Sequence, residues 1–560
     1  MKLRTGLSAV AVTLVASLAM TACAQSQRDS QHSGGADAAN ADAVFTFGMA
    51  GSPKMFDPFY ASDGETFRVT DAMYEGLLSV KPGSVEVEAG LATEWESRES
   101  GTQWDFTLRD GVTFHDGTAF TAEAVCANFE RWFQQTGVNQ SSGVSYSWIN
   151  DFGGFADQKD VPTLYEGCDV TDELKMTLRL TRASSHMPDV LAYSSFAFSS
   201  PEALEKYDAD AVEADGDGFS WPEYATAHPT GTGPFVFDSY DTANGVVTLT
   251  RNDDYWGEKA GVAKLVFKVI PGEGERRQEL ESGSIDGYDL PNPVDWADLE
   301  AQGHQVLIRD AFNIMFLALN AQENDALLDL RVRQALLYAI NREQLVETQL
   351  PEGAYVASQL LPKTITGYNP DLEPYPYDTA KAQALLKEAG HEGLEIELWY
   401  PTEVSRPYMP DPSRVFEAIR SDWEAAGIKV VPVSHPWNGG YIDGVYANKA
   451  PAFLLGGTGH YDSPDPFMGA YFGNSETFFQ TGLLGFGDQL AADVRGADEE
   501  GDPATREKKY QEIERQLMQE YLPMLPLAHT PPALVVGEHV QGIIPSPVTH
   551  EDFSKITITR

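Results

Sequence analysis

From residue 452 to residue 466 the sequence reads Ala452-Phe453-Leu454-Leu455-Gly456-Gly457-Thr458-Gly459-His460-Tyr461-Asp462-Ser463-Pro464-Asp465-Pro466. An apolar run that ends in glycines is typical of a short buried strand leading into a loop at the strand end. Two prolines and an Asp-Pro turn stiffen this loop and would hold the Asp462 carboxylate in place. A fixed carboxylate beside His460 and Tyr461 suits an ammonium group. The alternative is that Asp462 and Asp465 only cap turns.

The length and charge of the chain limit its class. At 560 residues it is too long for one core, so two or three domains are expected. The formal charge is −45, from 84 acidic and 39 basic residues. Such a surface repels nucleic acid and anionic lipid headgroups, and we expect no nucleic-acid partner.

The first residues predict export. Residues 1–22 resemble a signal peptide, with Lys2 and Arg4 before an apolar stretch too short to span a bilayer. The stretch Met20-Thr21-Ala22-Cys23 resembles the bacterial lipobox, whose cysteine becomes a lipidated N-terminus. The alternative is an ordinary cleaved signal with a chance cysteine. Residues 23–43 are small and polar, which predicts a flexible tether. We therefore expect an extracytoplasmic protein, lipid-anchored to the cell membrane.

The two remaining cysteines, Cys126 and Cys168, indicate one disulfide in an exported protein. The alternative is two buried free thiols. The sequence has no Cys-x-x-Cys and no histidine pair at ligand spacing, so we expect no metal site.

Periodicity predicts a mixed α/β chain. Residues 104–108 alternate as a strand, and residues 121–133 follow as a helix. Apolar residues at Met73, Leu77 and Leu78 predict a helix over 70–78. Strands and helices alternate from the apolar run 312–320 onward, which argues for an α/β domain.

Several motifs, in order along the chain, resemble the bacterial extracytoplasmic solute-binding proteins of the peptide, dipeptide and nickel class (family 5), which serve ABC importers. They are Leu91-Ala92-Thr93-Glu94-Trp95, Leu108-Arg109-Asp110-Gly111-Val112-Thr113-Phe114-His115-Asp116-Gly117, Pro229-Thr230-Gly231-Thr232-Gly233-Pro234-Phe235, Arg251-Asn252-Asp253-Asp254-Tyr255-Trp256-Gly257 and Arg331-Val332-Arg333-Gln334-Ala335. No single motif is specific, but their conjunction over nearly the whole chain is.

The resemblance implies a two-lobed periplasmic-binding-protein fold of class II, type C, with an extra subdomain in lobe I. It places lobe I at residues 44–80 and 229–311, with a C-terminal return at 530–560. The extra subdomain takes 81–228, and lobe II takes 312–529. The lobes of this family close on a ligand by a hinge motion.

The resemblance also implies a binding site like that of the dipeptide branch. Arg406, in Ser405-Arg406-Pro407-Tyr408-Met409-Pro410, would hold the ligand carboxylate, and Tyr408 would line a side-chain pocket. An acid at Asp462 would hold the ammonium group, although Gly459-His460-Tyr461 departs from the residues that usually precede it. Gly51 and Ser52 would face the ligand from lobe I. The alternative for Arg406 is a surface arginine.

We therefore expect a monomeric, lipid-anchored binding protein that delivers dipeptides or short peptides to an ABC importer permease, with no cofactor and no catalysis. The competitors are the same fold with another solute (a longer oligopeptide, haem, a nickel chelate or an oligosaccharide), a peptide-sensing or chaperone-like surface protein, and a secreted hydrolase. The sequence has no Gly-x-Ser-x-Gly, His-Glu-x-x-His or Walker motif to support an enzyme.

Overall fold

The structure is a computed structural model that describes residues 42–215, 218–475, 477 and 479–559. The predicted signal peptide and Cys23 lie outside the described residues. Among the helices that the structure describes, none is long and apolar enough to span a membrane.

A seven-stranded sheet forms the centre of lobe I. Its first strand, Val44–Met49, lies in the middle and pairs in parallel with Lys264–Val269, with Phe45 and Phe47 fully buried. The chain returns near its C-terminus as Ala533–Val536, which is antiparallel to both of its neighbours. In spatial order the strands are Phe235–Asp241, Val246–Arg251, Lys264–Val269, Val44–Met49, Gly287–Asp289, Ala533–Val536 and Gln305–Ile308.

A six-stranded sheet forms the centre of lobe II. Asn313–Leu319 is buried at every residue, as its apolar run predicts. The strand Glu395–Thr402 is parallel to Lys429–Pro436 and to Ala452–Thr458, and the helix Pro412–Ala425 connects the first two. In spatial order the strands are Tyr355–Val356, Met524–His529, Asn313–Leu319, Ala452–Thr458, Glu395–Thr402 and Lys429–Pro436.

The extra subdomain is built on a four-stranded antiparallel sheet in the order Ala92–Arg98, Gln103–Leu108, Lys175–Leu180 and Tyr165–Asp172. The helix Ala122–Phe133 begins at the side-chain cap Thr121 and packs against the edge strand. The expected disulfide between Cys126 and Cys168 is confirmed, and it joins this helix to that strand.

Short strand pairs and helices complete the molecule. The strand pairs are Leu78–Val80 with Val87–Ala89, Glu213–Asp215 with Gly218–Ser220, and Val540–Gln541 with Thr557–Ile558. The remaining α-helices are Gly64–Thr70, Tyr146–Asp151, Met187–Val190, Pro201–Lys206, Glu223–Ala227, Glu273–Glu281, Trp296–Ala301, Leu330–Tyr338, Arg342–Gln349, Thr379–Ala389, Ile442–Tyr446, Asp465–Phe472, Gly487–Asp498 and Pro503–Gln516.

The helix predicted over 70–78 is wrong. The helix here is Gly64–Thr70, which begins where the Asp63 side chain accepts a hydrogen bond from the Thr66 amide. The three apolar residues that suggested a helix are buried, but they lie in a turn and in the strand that begins at Leu78. Gly76 explains the difference, because a Cβ there would lie only 2.8 Å from the Leu191 carbonyl oxygen. The backbone of this segment pairs with the extra subdomain instead of continuing the helix: the Leu78 amide donates to the Leu191 carbonyl at 3.2 Å, and the Gly76 carbonyl accepts from the Leu91 amide at 3.1 Å.

Candidate functional site

Two loops leave the same edge of the lobe II sheet. Glu395–Thr402 and Ala452–Thr458 are parallel neighbours, so the loops after them begin side by side. The first loop carries Arg406 and the second carries Asp462. Strand-end loops on a rigid sheet are a common position for binding groups.

Arg406 is a partly buried cation without a carboxylate partner. Its backbone exchanges two hydrogen bonds with Met409, at 3.1 and 2.9 Å, which closes a tight loop around Pro407 and Tyr408. Its guanidinium carbon lies 3.9 Å from the centre of the Trp437 ring, a cation–π contact. The Arg406 Nε is buried without a hydrogen-bond partner, and Arg406 forms no ion pair with any carboxylate that the structure describes.

Asp462 is a partly buried anion, and no lysine or arginine among the described residues forms an ion pair with it. Its Oδ1 is buried and has no hydrogen-bond partner within the described part of the chain. Burial raises the pKa of Asp462, and the backbone amide of Thr366 acts against this rise. Burial raises the pKa of Asp189 in the extra subdomain to about 7; His186 acts against this rise, and the negative charge of Asp462 adds to it. The two lobes thus present two acids to each other at this point.

Tyr408 is buried within lobe II, and burial raises its pKa to about 12. Its ring lies flat on Gly456, where a Cβ would come within 2.5 Å of Tyr408 Cδ2. A Cβ on Gly457 would come within 2.0 Å of the Tyr471 hydroxyl. The paired glycines therefore make room for two tyrosines over one strand.

His460 and Tyr461 contact lobe I side chains. The Tyr461 side chain is 3% exposed, and it packs in the core of the extra subdomain with its ring 5.8 Å from that of His186. Its hydroxyl lies 2.9 Å from Asp151 Oδ1 and 3.3 Å from Asp465 Oδ2. His460 stacks on Tyr193 at 4.8 Å, and burial, with the charge of His550, lowers its pKa to about 4. Both rings take part in the contact between the lobes.

Gly51 and Ser52 follow the central strand of the lobe I sheet. Ser52 is exposed, whereas Gly51 lies against Glu65, whose Cγ would be 3.4 Å from a Cβ at this glycine. The Glu65 Oε2 is buried and has no hydrogen-bond partner in the described part of the chain, and burial raises the pKa of Glu65 to about 7. Sequence reasoning missed Glu65 and Trp437, because neither residue is part of a recognisable motif.

This arrangement suits binding rather than catalysis. Among the described residues it offers a cation with an unsatisfied donor, Arg406, and two carboxylates that each have an unsatisfied oxygen, Asp462 and Glu65. A ligand with separated positive and negative ends would satisfy these groups. One further cluster, Asp151, His186 and Asp465, could hold a metal ion.

A comparison with protein-family models matches residues 86–479 to the bacterial extracellular solute-binding proteins, family 5. The chain is 30% identical to the dipeptide-binding protein of Escherichia coli, over 91% of this chain and 93% of that protein. It is 28% identical to heme-binding protein A of Haemophilus influenzae, over the whole length of both.

Solved structures agree with the sequence comparisons. HbpA2 from Haemophilus parasuis matches with a TM-score of 0.73 and 28% identity, over 92% of this chain and all of that chain. The dipeptide-binding protein from Pseudoalteromonas in complex with Met-Leu matches with a TM-score of 0.78, over 92% of this chain and all of that one. At 23% identity the second match bears on the fold alone. The expected two-lobed periplasmic-binding-protein fold is confirmed.

Proposed function

This chain belongs to the bacterial extracellular solute-binding proteins of family 5, and we propose that it captures dipeptides or short peptides between its two lobes. Its relatives are solute-binding proteins of ABC importers and not enzymes, and the same holds for this chain. One observation carries the proposal for the ligand: Arg406 and Asp462 come from adjacent loops, and each has a buried polar atom without a partner among the described residues.

A zwitterionic peptide has the charges that these two groups lack. The Arg406 guanidinium would take the terminal carboxylate, and Asp462 would take the ammonium group. Each close ion pair is worth roughly 4 kcal/mol at an effective dielectric constant near 20, before desolvation. Because both groups are held on stiff loops, their separation would select ligand length. Tyr408 would line a side-chain pocket, and Gly51 and Ser52 would approach the ligand from lobe I.

Calorimetric titration with dialanine, trialanine and N-acetyl-dialanine tests this function. We expect dialanine to bind and N-acetylation to abolish binding, because the acetyl group removes the ammonium charge that Asp462 would meet. Failure of both dialanine and trialanine with a folded protein would overturn the peptide assignment. The family membership would stand, and the ligand would have to be sought among other solutes.

Haem is the competing solute, since a relative with 28% identity over its whole length is a heme-binding protein. The same protein preparation is titrated with haem, and the Soret absorbance is followed. A saturable shift at one haem per chain, together with no response to dialanine, would replace the peptide by haem. Unsaturable haem adsorption with normal dialanine binding would support the peptide.

We further propose that the mature protein is a monomer, lipidated at Cys23 and tethered by residues 23–43 near the permease of an importer. The support is the lipobox-like sequence ahead of Cys23, which lies outside the described residues. Mass spectrometry of the membrane-extracted protein would find an acylated N-terminal cysteine, and Cys23→Ser would release the protein into the soluble fraction. An unmodified N-terminus elsewhere in the sequence would contradict the anchor.

A further inference from the structure

Three potential metal ligands from both lobes meet at one point. Asp151 ends the helix Tyr146–Asp151, and His186 directly precedes the helix Met187–Val190, both in the extra subdomain. Asp465 begins the helix Asp465–Phe472 of lobe II. One ligand atom from each of the three side chains lies within 4.8 Å of the others. We propose that these residues form a binding site for a divalent transition-metal ion of the Zn²⁺ type, which bridges the two lobes when they are closed.

The histidine is oriented as a metal ligand. Its Nδ1 lies 2.6 Å from Asp498 Oδ1 and donates a hydrogen bond to it, which leaves Nε2 directed at Asp465. Metal-binding histidines usually donate their second ring N–H to a carboxylate in this way. The distance from Nε2 to Asp465 Oδ2 is 3.9 Å, which is too long for a hydrogen bond. Two ligand atoms that are each about 2 Å from one ion lie about 3–4 Å apart.

The burial and the excess negative charge of the residues around His186 also favour a bound cation. Asp151, His186 and Asp498 are all buried, and Asp465 is about four-fifths buried. Three carboxylates therefore meet one imidazole, and Arg182, 3.3 Å from Asp498, supplies one further positive charge. Buried carboxylates need cationic partners, and a divalent ion would supply the missing charge. The Tyr461 hydroxyl contacts both candidate carboxylate ligands and would fix their orientation.

The donor set selects the kind of ion. One imidazole with two carboxylates suits Zn²⁺ and neighbouring transition metals, whereas Mg²⁺ and Ca²⁺ prefer oxygen ligands alone. The sequence predicts no metal site because it contains no Cys-x-x-Cys and no histidine pair at ligand spacing. These three ligands are far apart in the sequence and meet only when lobe II contacts the extra subdomain. The ion would therefore favour the closed arrangement of the lobes, independently of which solute the protein carries.

The test is calorimetric titration of the chelator-treated full chain with ZnCl₂. We expect one Zn²⁺ per chain, weaker binding of Mg²⁺ and Ca²⁺, and a decrease in the radius of gyration by small-angle X-ray scattering when Zn²⁺ is added. Asp151→Asn and Asp465→Asn each weaken Zn²⁺ binding at least about 10-fold, and Asp498→Asn, which acts through His186, weakens it about 10–100-fold. His228→Gln is the matched control, because His228 is partly exposed and pairs with Glu223 on the surface.

Circular dichroism verifies that each variant is folded. Because His186→Gln would remove the imidazole that contacts Asp498 at 2.6 Å and could unfold the chain, the two ligand aspartates decide the outcome. The proposal is overturned if Zn²⁺ fails to bind stoichiometrically, if Asp151→Asn and Asp465→Asn bind it as tightly as the parent, or if Ca²⁺ binds more tightly than Zn²⁺.

Discussion

Two buried charged regions of this molecule differ in whether their charges are balanced. In lobe I, Arg309 lies 2.7 Å from both Asp289 and Glu551, and Arg68 contacts the same two acids. This lobe I network has two cations and two anions, and the Arg309 and Glu551 side chains are 0% exposed. In the site between the lobes, Arg406 and Asp462 each lack a partner of opposite charge among the described residues.

The pKa shifts show what this difference does. Burial alone would raise the pKa of Asp289, but Arg309 and Arg68 bring it below its usual value of 3.8. Burial raises the pKa of Asp462, and within the described residues only the Thr366 backbone amide, and no cation, acts against this rise. The lobe I network therefore holds its charges through its own contacts, whereas Arg406 and Asp462 have no such contacts among the described residues, and under the proposed function a peptide would supply them. Substitutions in the two regions should therefore affect stability and ligand affinity differently.

Arg309→Met in the lobe I network should cause the largest change in the free energy of unfolding. It leaves Asp289 and Glu551 buried with one cation fewer, which should lower the free energy of unfolding by about 3–5 kcal/mol. Urea denaturation measures the loss, and dialanine affinity of the folded fraction should not change. Arg420→Met is the matched control, since Arg420 pairs with Glu417 at the surface and should change stability by less than about 1 kcal/mol. Equal effects of the two variants would contradict the comparison.

Arg406→Met should cause the largest loss of dialanine affinity. Dialanine binding should weaken by about 2–5 kcal/mol, at least about 30-fold in Kd, because the ligand carboxylate loses its cation. Stability without ligand should change little, since no ion pair within the described residues is lost. Calorimetry and urea denaturation measure the two quantities. A large loss of stability with unchanged affinity would assign Arg406 to folding.

A smaller effect is expected from Asp462→Asn. Loss of the charged acceptor should weaken dialanine binding by about 1.5–3 kcal/mol. The ligand-free protein should become more stable at pH 7, because a buried charge without a cation has been removed. Thermal unfolding with and without dialanine measures both effects. If the variant binds dialanine normally, Asp462 only caps a turn, which is the alternative that the sequence left open.

The smallest effect is a pH dependence of binding. Burial raises the pKa of Asp462 in the free protein, and a bound ammonium group would lower it. The complex then holds fewer protons than the free protein, so dialanine affinity should fall as the pH is lowered from 7 towards 4.5, and should level off at higher pH. Calorimetry across this range measures the change, and Asp462→Asn should abolish it. The ligand carboxylate titrates at about 3.3–3.7, below this range.

Much of the fold follows from local sequence. The buried strand Asn313–Leu319 and the capped helix Ala122–Phe133 lie close to their predicted positions, because period and capping are local signals. The helix predicted over 70–78 failed because Gly76 packs against the Leu191 backbone, a contact from outside the segment. The position of the Arg406 and Asp462 loops at one sheet edge follows from the parallel pairing of Glu395–Thr402 with Ala452–Thr458, which only the structure shows.

Local sequence patterns alone indicate the family, the α/β class and the residues that are candidates for binding. Only the tertiary structure decided which charges are paired, that Tyr461 of lobe II packs in the core of the extra subdomain, and that Asp151, His186 and Asp465 meet. The cause is the distance along the chain over which each kind of signal acts. Periodicity, caps and motifs act over a few neighbouring residues, whereas charge balance and ligand geometry depend on side chains that lie tens to hundreds of residues apart and approach only in the folded chain.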